Sequence, residues 1–161
     1  VIGISASGSA NYVLGALKFA NKVKASTALI TFNDIDNINY IDNVISIIVG
    51  PEIITGSTRM KAATATKMIL NMITTSTMIK LNKTYKNLMV DLKPSNNKLI
   101  DRAVRIICEL TKLDYSKSKK LLIKAKNNVK IAVVMHQNKV SYSTARLKIK
   151  LNNGSLRKSL E

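Results

Sequence analysis

Val1-Ile2-Gly3-Ile4-Ser5-Ala6-Ser7-Gly8-Ser9-Ala10 is the stretch on which the reading of this 161-residue chain turns. Its first residues are apolar or small with no polar alternation, which predicts a buried strand over 1–5. A Ser- and Gly-containing turn follows. Tyr12, Val13, Leu14, Leu17, Phe19 and Ala20 then recur at helical spacing to about Lys24. Ala28-Leu29-Ile30-Thr31-Phe32 predicts a second strand over 27–32, closed by the loop Asn33-Asp34-Ile35-Asp36-Asn37. Val44-Ile45-Ser46-Ile47-Ile48-Val49 predicts a third over 44–49, ended by Gly50-Pro51. Short continuous apolar strands alternating with a helix imply an α/β fold, a partial doubly wound parallel sheet with helices on its faces. The first strand is already under way at Val1, with no initiator Met, so the chain reads as a fragment.

From Arg59 onward the pattern is helical. Residues 59–80 hold no Gly or Pro and are apolar on most sides, which predicts a largely buried helix with Met60, Met68, Met72 and Met78 as core fillers. A second helix is expected over about 96–110, with Leu99, Ala103, Ile106, Ile107 and Leu110 on one face. After Leu113 the texture changes to short amphipathic helices near 116–126, 129–138 and 141–151, with Ser116 and Ser141 as N-caps. The expected division is therefore a sheet domain over 1–111 and a small three-helix module over 112–161.

Composition narrows the class. Hydrophobic residues make up 46%, which suits a globular chain. No apolar run approaches the roughly 20 residues of a membrane span, and the N-terminus lacks the pattern of a signal peptide. The single cysteine, Cys108, excludes an internal disulfide and fits a reducing cytoplasm. It lies in an apolar run and reads as a core residue. The net charge of +17 points superficially to nucleic acid. It is uneven, however: residues 1–58 carry −1 and residues 59–161 carry +18. Lys outnumbers Arg by 21 to 5, and Lys, Asn and Ile supply 57 of the 161 residues. That is the texture of an AT-rich coding sequence. Phosphate-reading surfaces favour Arg, and base stacking needs more aromatics than the 4% present. Neither a nucleic acid nor a membrane is an expected partner.

Two segments could carry chemistry. Ser5, Ser7 and Gly8 lie in a loop that joins a strand to a helix. Small residues there let backbone N–H groups and hydroxyls reach a phosphate, and the helix end favours an anion. An ordinary Ser-rich turn would look the same. The second segment is Gly50-Pro51-Glu52-Ile53-Ile54-Thr55-Gly56-Ser57-Thr58-Arg59-Met60-Lys61, between the third strand and the long helix. Ser57 or Thr58 could cap that helix. Arg59 and Lys61 sit in its first turn, where cations oppose the helix dipole, which suggests an anion held between them. Glu52 could accept sugar hydroxyls. The alternative is a capped helix with solvated charges. His136 reads as a surface or helix-end residue, and Asp91 as part of a loop or helix end.

The run GPEIITGSTRMKAATATKMILNM resembles a signature shared by the N-acetylmuramic acid 6-phosphate etherases and the glucokinase regulatory protein. VIGISASG resembles the second sugar-phosphate loop of their SIS domain. NLMVDLKPSN, RAVRII, NNVKIAVVM and LRKSLE then resemble the etherase in the same order. The resemblance covers essentially the whole chain and implies the C-terminal half of an SIS domain followed by a ubiquitin-associated-like helical module. It also implies a cytoplasmic homodimer and a phosphosugar substrate. In the family's reaction a glutamate removes the C2 proton of open-chain N-acetylmuramic acid 6-phosphate. D-lactate then leaves from C3, and water adds to give N-acetylglucosamine 6-phosphate. The glutamates concerned lie upstream of this chain, so the resemblance implies no catalytic residue here and an inactive fragment. It gives Ser5, Ser7, Gly8, Glu52, Ser57, Thr58, Arg59 and Lys61 as substrate-binding. A non-catalytic sugar-phosphate sensor of the same class is the alternative function. No metal or organic cofactor is implied, and one His with one Cys cannot build a structural zinc site. Three positions depart from the family: Ser9-Ala10-Asn11 replaces Arg-Thr-Pro, Ala63 replaces a Gly, and Lys86 replaces the Gly before Asn87.

Overall fold

The computed structural model describes residues 1–161, which divide into two compact units, Val1–Ile73 and Thr74–Glu161. In the first, β1 (Ile2–Ile4), β2 (Ala28–Thr31) and β3 (Asn43–Ser46) form a parallel sheet in the order β1-β2-β3. Ile4 pairs with Ile30, and Ile30 with Ile45, so the register sets like residues side by side. The helix α1 (Asn11–Lys22) links β1 to β2, and α2 (Lys61–Lys80) follows β3.

Alternation along β2 decides what covers each face. Leu29 packs with Leu17 of α1 and Ile41, while Ile30 and Phe32 pack with Ala62 and Ile69 of α2. Adjacent residues of one strand thus serve two different cores, as expected of a sheet covered on both sides. Gly3 permits the close approach of α1: a Cβ there would come within 2.6 Å of Val13 Cγ1.

The three expected strands are present, the first two within a residue of the expected bounds and the third ending at Ser46, three residues earlier than expected. The burial of α2 is not as expected. Ala62 and Ile69 are buried, but Met60, Met68, Met72 and Met78 are exposed, Met60 by 62%. These methionines are not core fillers. Within its unit the helix has one sheet to lie on, and it does so through Ala62, Ala65, Ile69 and Ile73. A helix that is apolar all round carries no period to say which stripe that is.

The second unit holds the hairpin β4 (Thr84–Tyr85) and β5 (Leu88–Met89), then α3 (Asn97–Thr111), α4 (Tyr115–Lys124), α5 (Val129–Gln137), α6 (Tyr142–Leu151) and α7 (Leu156–Leu160). The sequence reading missed the hairpin and α7, both too short to show a period. It also misplaced one cap. Asp114, not Ser116, accepts the N–H of Lys117 to start α4, whereas Ser141 does cap α6. One core spans Val90, α3 (Val104, Ile107), α4 (Leu122), α5 (Val133) and α7 (Leu156). The boundary read at 111/112 falls inside this shared core.

A charged cluster pins this unit. Lys130, only 5% exposed at its side chain, reaches Asp91 at 2.9 Å and donates to the Gly154 carbonyl at 3.0 Å. Lys83 pairs with the other Asp91 oxygen. Burial alone would raise the Asp91 pKa, but hydrogen bonds from Lys83 and Lys130 outweigh it and hold the carboxyl below its ordinary value. Stability from this group is therefore complete above the ordinary aspartate range and is lost as pH falls through the lowered folded value. Asp91→Asn should cost about 3 kcal/mol in denaturant melts near neutral pH, because Lys130 is left buried without its counter-charge. Losses under a few tenths would show that the cluster is solvated and contributes little.

Lys86 opens the two-residue turn of the hairpin at φ 54°, in the left-handed region that L residues enter at a cost of about 1–2 kcal/mol. Lys86→Gly should therefore stabilise the chain by about 1 kcal/mol, read from the shift of the urea midpoint at constant m.

Candidate functional site

At the carboxyl end of the sheet the β1–α1 loop is fastened to the end of β2. The Ala6 carbonyl accepts from Phe32 N at 3.0 Å, from Asn33 Nδ2 at 3.1 Å and from Thr31 Oγ1 at 3.3 Å. Gly8 N donates to Ser5 O at 3.0 Å, which tightens the turn. Gly8 itself has φ +76°, and a Cβ on it would lie 2.6 Å from Ile35 Cγ2, so both backbone and space require glycine. Ser5 is buried, with its Oγ accepting from Ala10 N at 3.3 Å. Ser7 and Ser9 are exposed, with their hydroxyls 2.9 Å apart. No side chain caps α1.

The loop after β3 closes differently. Glu52 folds back on the start of α2, where Oε2 accepts from Lys61 N at 3.0 Å and Met60 N at 3.2 Å, and Oε1 from Ala62 N at 3.1 Å. The cap of this helix is thus a carboxylate nine residues upstream, not Ser57 or Thr58. The Lys61 amide, and after it the Ala62 amide, hold the Glu52 carboxyl below its ordinary range. Arg59 Nε donates to Ser57 Oγ at 2.7 Å, and Lys61 Nζ to the Pro51 carbonyl at 2.7 Å. Both cations are tied to their own loop.

The two loops meet. A cleft of about 150 Å³ is lined by Ala6, Ser7, Phe32, Asn33, Val49, Gly50, Glu52, Thr58 and Ala62. It lies off the carboxyl ends of parallel strands, where ligands of such sheets bind. Of the residues singled out from sequence, Ser7, Glu52 and Thr58 line it. Ser5 and Gly8 shape the loop beneath, and Ser57, Arg59 and Lys61 stand outside the lining. Asn33 was missed. The signal was available, since it directly follows the second strand at the same sheet end.

Residues 86–141 match the family model of the C-terminal lid domain of glucokinase regulatory protein. The N-acetylmuramic acid 6-phosphate etherase of Staphylococcus epidermidis is 48% identical over 161 residues, covering 99% of this chain and 55% of that protein. The etherase of Oceanobacillus iheyensis is 55% identical over 136 residues, covering 84% and 46%. Etherase 2 of Vibrio cholerae is 44% identical over 162 residues, covering 100% and 53%. The chain spans about half the length of the curated relatives it matches. Along essentially its whole length the chain is similar to the C-terminal half of N-acetylmuramic acid 6-phosphate etherases.

Glu52→Gln removes the anion from the α2 amides. The variant should melt a few degrees below the parent at pH 7. Because the folded pKa is lowered, the gap should close as pH drops through that value and the parent carboxylate is itself protonated. A gap that persists unchanged in acid would show that the charge is not what holds the helix start.

Proposed function

We propose that this chain supplies the phosphosugar-binding C-terminal half of an etherase that cleaves the D-lactyl ether of N-acetylmuramic acid 6-phosphate. The observation that carries this reading is the convergence of Ser7, from the β1–α1 loop, with Thr58 and Glu52, from the β3–α2 loop, in one cleft. Two helices start beside that cleft. The α2 start is filled by the protein's own Glu52 carboxylate, whereas α1 has no side-chain cap, so a phosphate belongs at α1. Ser7 and Gly8 hold the phosphate in this scheme, with Ser5 bracing the loop from below. Thr58 presents its hydroxyl to the sugar, and Ser57, Arg59 and Lys61 form the rim. Glu52 acts by fixing the start of α2.

The whole protein in this reading is an SIS-domain homodimer of the cytoplasm, acting in amino-sugar recycling, and its last helices form a ubiquitin-associated-like module. Proton transfer falls to groups outside this chain. Glu52 is the one carboxylate lining the cleft, and three amides hold it ionised, which makes it a poor base.

D-lactate release should therefore be absent with the purified chain. It should appear when the chain is combined with the N-terminal half of a full-length relative. Ser7→Ala should weaken N-acetylglucosamine 6-phosphate binding by roughly tenfold, the worth of a hydrogen bond to a charged group. Turnover by the chain alone, abolished by Glu52→Gln, would place the chemistry in this half and overturn the reading.

A further inference from the structure

The cleft of Ser7 and Glu52 does not end at Thr58. A larger cavity of about 520 Å³ adjoins it, and the two share Ala6, Phe32, Thr58 and Ala62 as a common wall. Beyond those four residues the linings differ. Loop residues such as Ser7, Asn33 and Gly50 line the smaller one. The larger runs along α2, where Ala62, Thr66 and Leu70 form one row at helical spacing and Ala63 and Lys67 form the next. Ile4 of β1 completes its lining from the sheet.

Lys67 is the one charged residue of that larger lining. It belongs to none of the chain's ion pairs. Thr66 beside it spends its hydroxyl hydrogen on the Ala62 carbonyl at 2.8 Å. The cations nearer the helix start are occupied, Arg59 by Ser57 and Lys61 by the Pro51 carbonyl. Lys67 stands five residues after Ala62, about 7.5 Å along the helix axis. Side chains on a helix lean toward its N-terminus, and that lean carries the Lys67 ammonium back toward Thr58 and the common wall.

The substrate has a group that answers to this cation. N-acetylmuramic acid 6-phosphate bears two anions, the phosphate at C6 and the carboxylate of the lactyl ether at C3. With the phosphate at the start of α1 and the sugar at Thr58, the small cleft is filled, and the lactyl arm extends into the cavity that adjoins it. Its methyl group meets Ile4 and Phe32, and its carboxylate meets a lysine without a counter-ion. No acidic residue lines this cavity to compete for that lysine. The arm needs only the end beside Thr58, not the length of the groove.

We propose that Lys67 is a specificity residue: it holds the lactyl carboxylate, and so separates N-acetylmuramic acid 6-phosphate from sugar phosphates that lack the ether. This role rests on the phosphosugar reading above and deepens it by naming the group that reads the ether.

Calorimetry of the full chain with two ligands tests it, because N-acetylglucosamine 6-phosphate lacks only the lactyl arm. The parent should bind N-acetylmuramic acid 6-phosphate roughly tenfold more tightly, the worth of a charge-assisted hydrogen bond. Lys67→Met should erase that preference through loss on N-acetylmuramic acid 6-phosphate alone. Its unchanged affinity for N-acetylglucosamine 6-phosphate would show that the fold is intact. Equal affinity of the parent for both ligands, or a preference that survives in Lys67→Met, overturns the role of Lys67 and leaves the phosphosugar reading standing. Equal loss on both ligands also overturns it, since Lys67 would then serve the phosphate. If the parent binds neither ligand, the phosphosugar reading itself fails and Lys67 falls with it.

Discussion

The carboxylate of Glu52 on the first amides of α2 is the contact on which the candidate site depends. It joins the end of β3 to the start of the helix that covers one face of the sheet, and thereby sets Thr58 and Ala62 against the β1–α1 loop. A helix start leaves several N–H groups without partners, and it attracts whatever anion is nearest. Here that anion is built in. The two helix starts at this sheet end therefore differ: α2 is closed by a carboxylate of the protein, and α1 has no side-chain cap.

The same economy runs through the chain. Only nine residues are acidic in a protein of net charge +17, and the structure spends several of them on itself. Asp42 accepts from the backbone and hydroxyl of Thr27, Asp114 caps α4, Asp101 holds Arg105 and Tyr115, and Asp91 neutralises buried Lys130. Removing Asp91 leaves buried Lys130 without its counter-charge, which costs more than a surface pair would, whereas Asp101 and Asp114 make exposed pairs of small worth. The positive excess is carried mainly by exposed lysines that perform none of these tasks. That supports drift in composition over a designed polyanion surface.

How much of this could be read from the sequence follows from what each signal depends on. The strands and long helices were legible because period and apolar run length survive a change in composition. Helix ends were legible to within two residues, although the usual glycine marker is missing from them. The chain enters the left-handed region at Lys24, Asn82, Lys112, Lys126, Lys139 and Asn153, just past α1 to α6 in turn, where glycine is the usual marker. Lysine at such a position looks like a solvated surface residue, so the stops were read from the end of the apolar period and not from their own residues. The Glu52 cap was hidden for another reason. Capping rules look for a side chain next to the helix, and this one arrives from across a loop. The convergence of Ser7 and Thr58 on one cleft was legible because it needed only the order of elements at the strand ends.

The exposed surfaces show where the sequence says more than the chain's own contacts do. Ile2 and Ile4 are exposed on β1, whose outer edge has no strand beside it in this chain, and Met68 and Met72 stand exposed on α2. A groove of about 520 Å³ runs between them, lined by Ile4, Phe32, Ala63 and Leu70 among others. Parallel strands are ordinarily covered on both faces and paired on both edges. A helix with apolar residues on most sides is ordinarily enclosed. The expectation that α2 is buried therefore read the sequence correctly as a pattern and failed as a statement about this chain. The pattern specifies neighbours, and one flank of the unit meets fewer of them than the pattern requires. Apolar residues so placed are selected by contacts beyond the unit's own core.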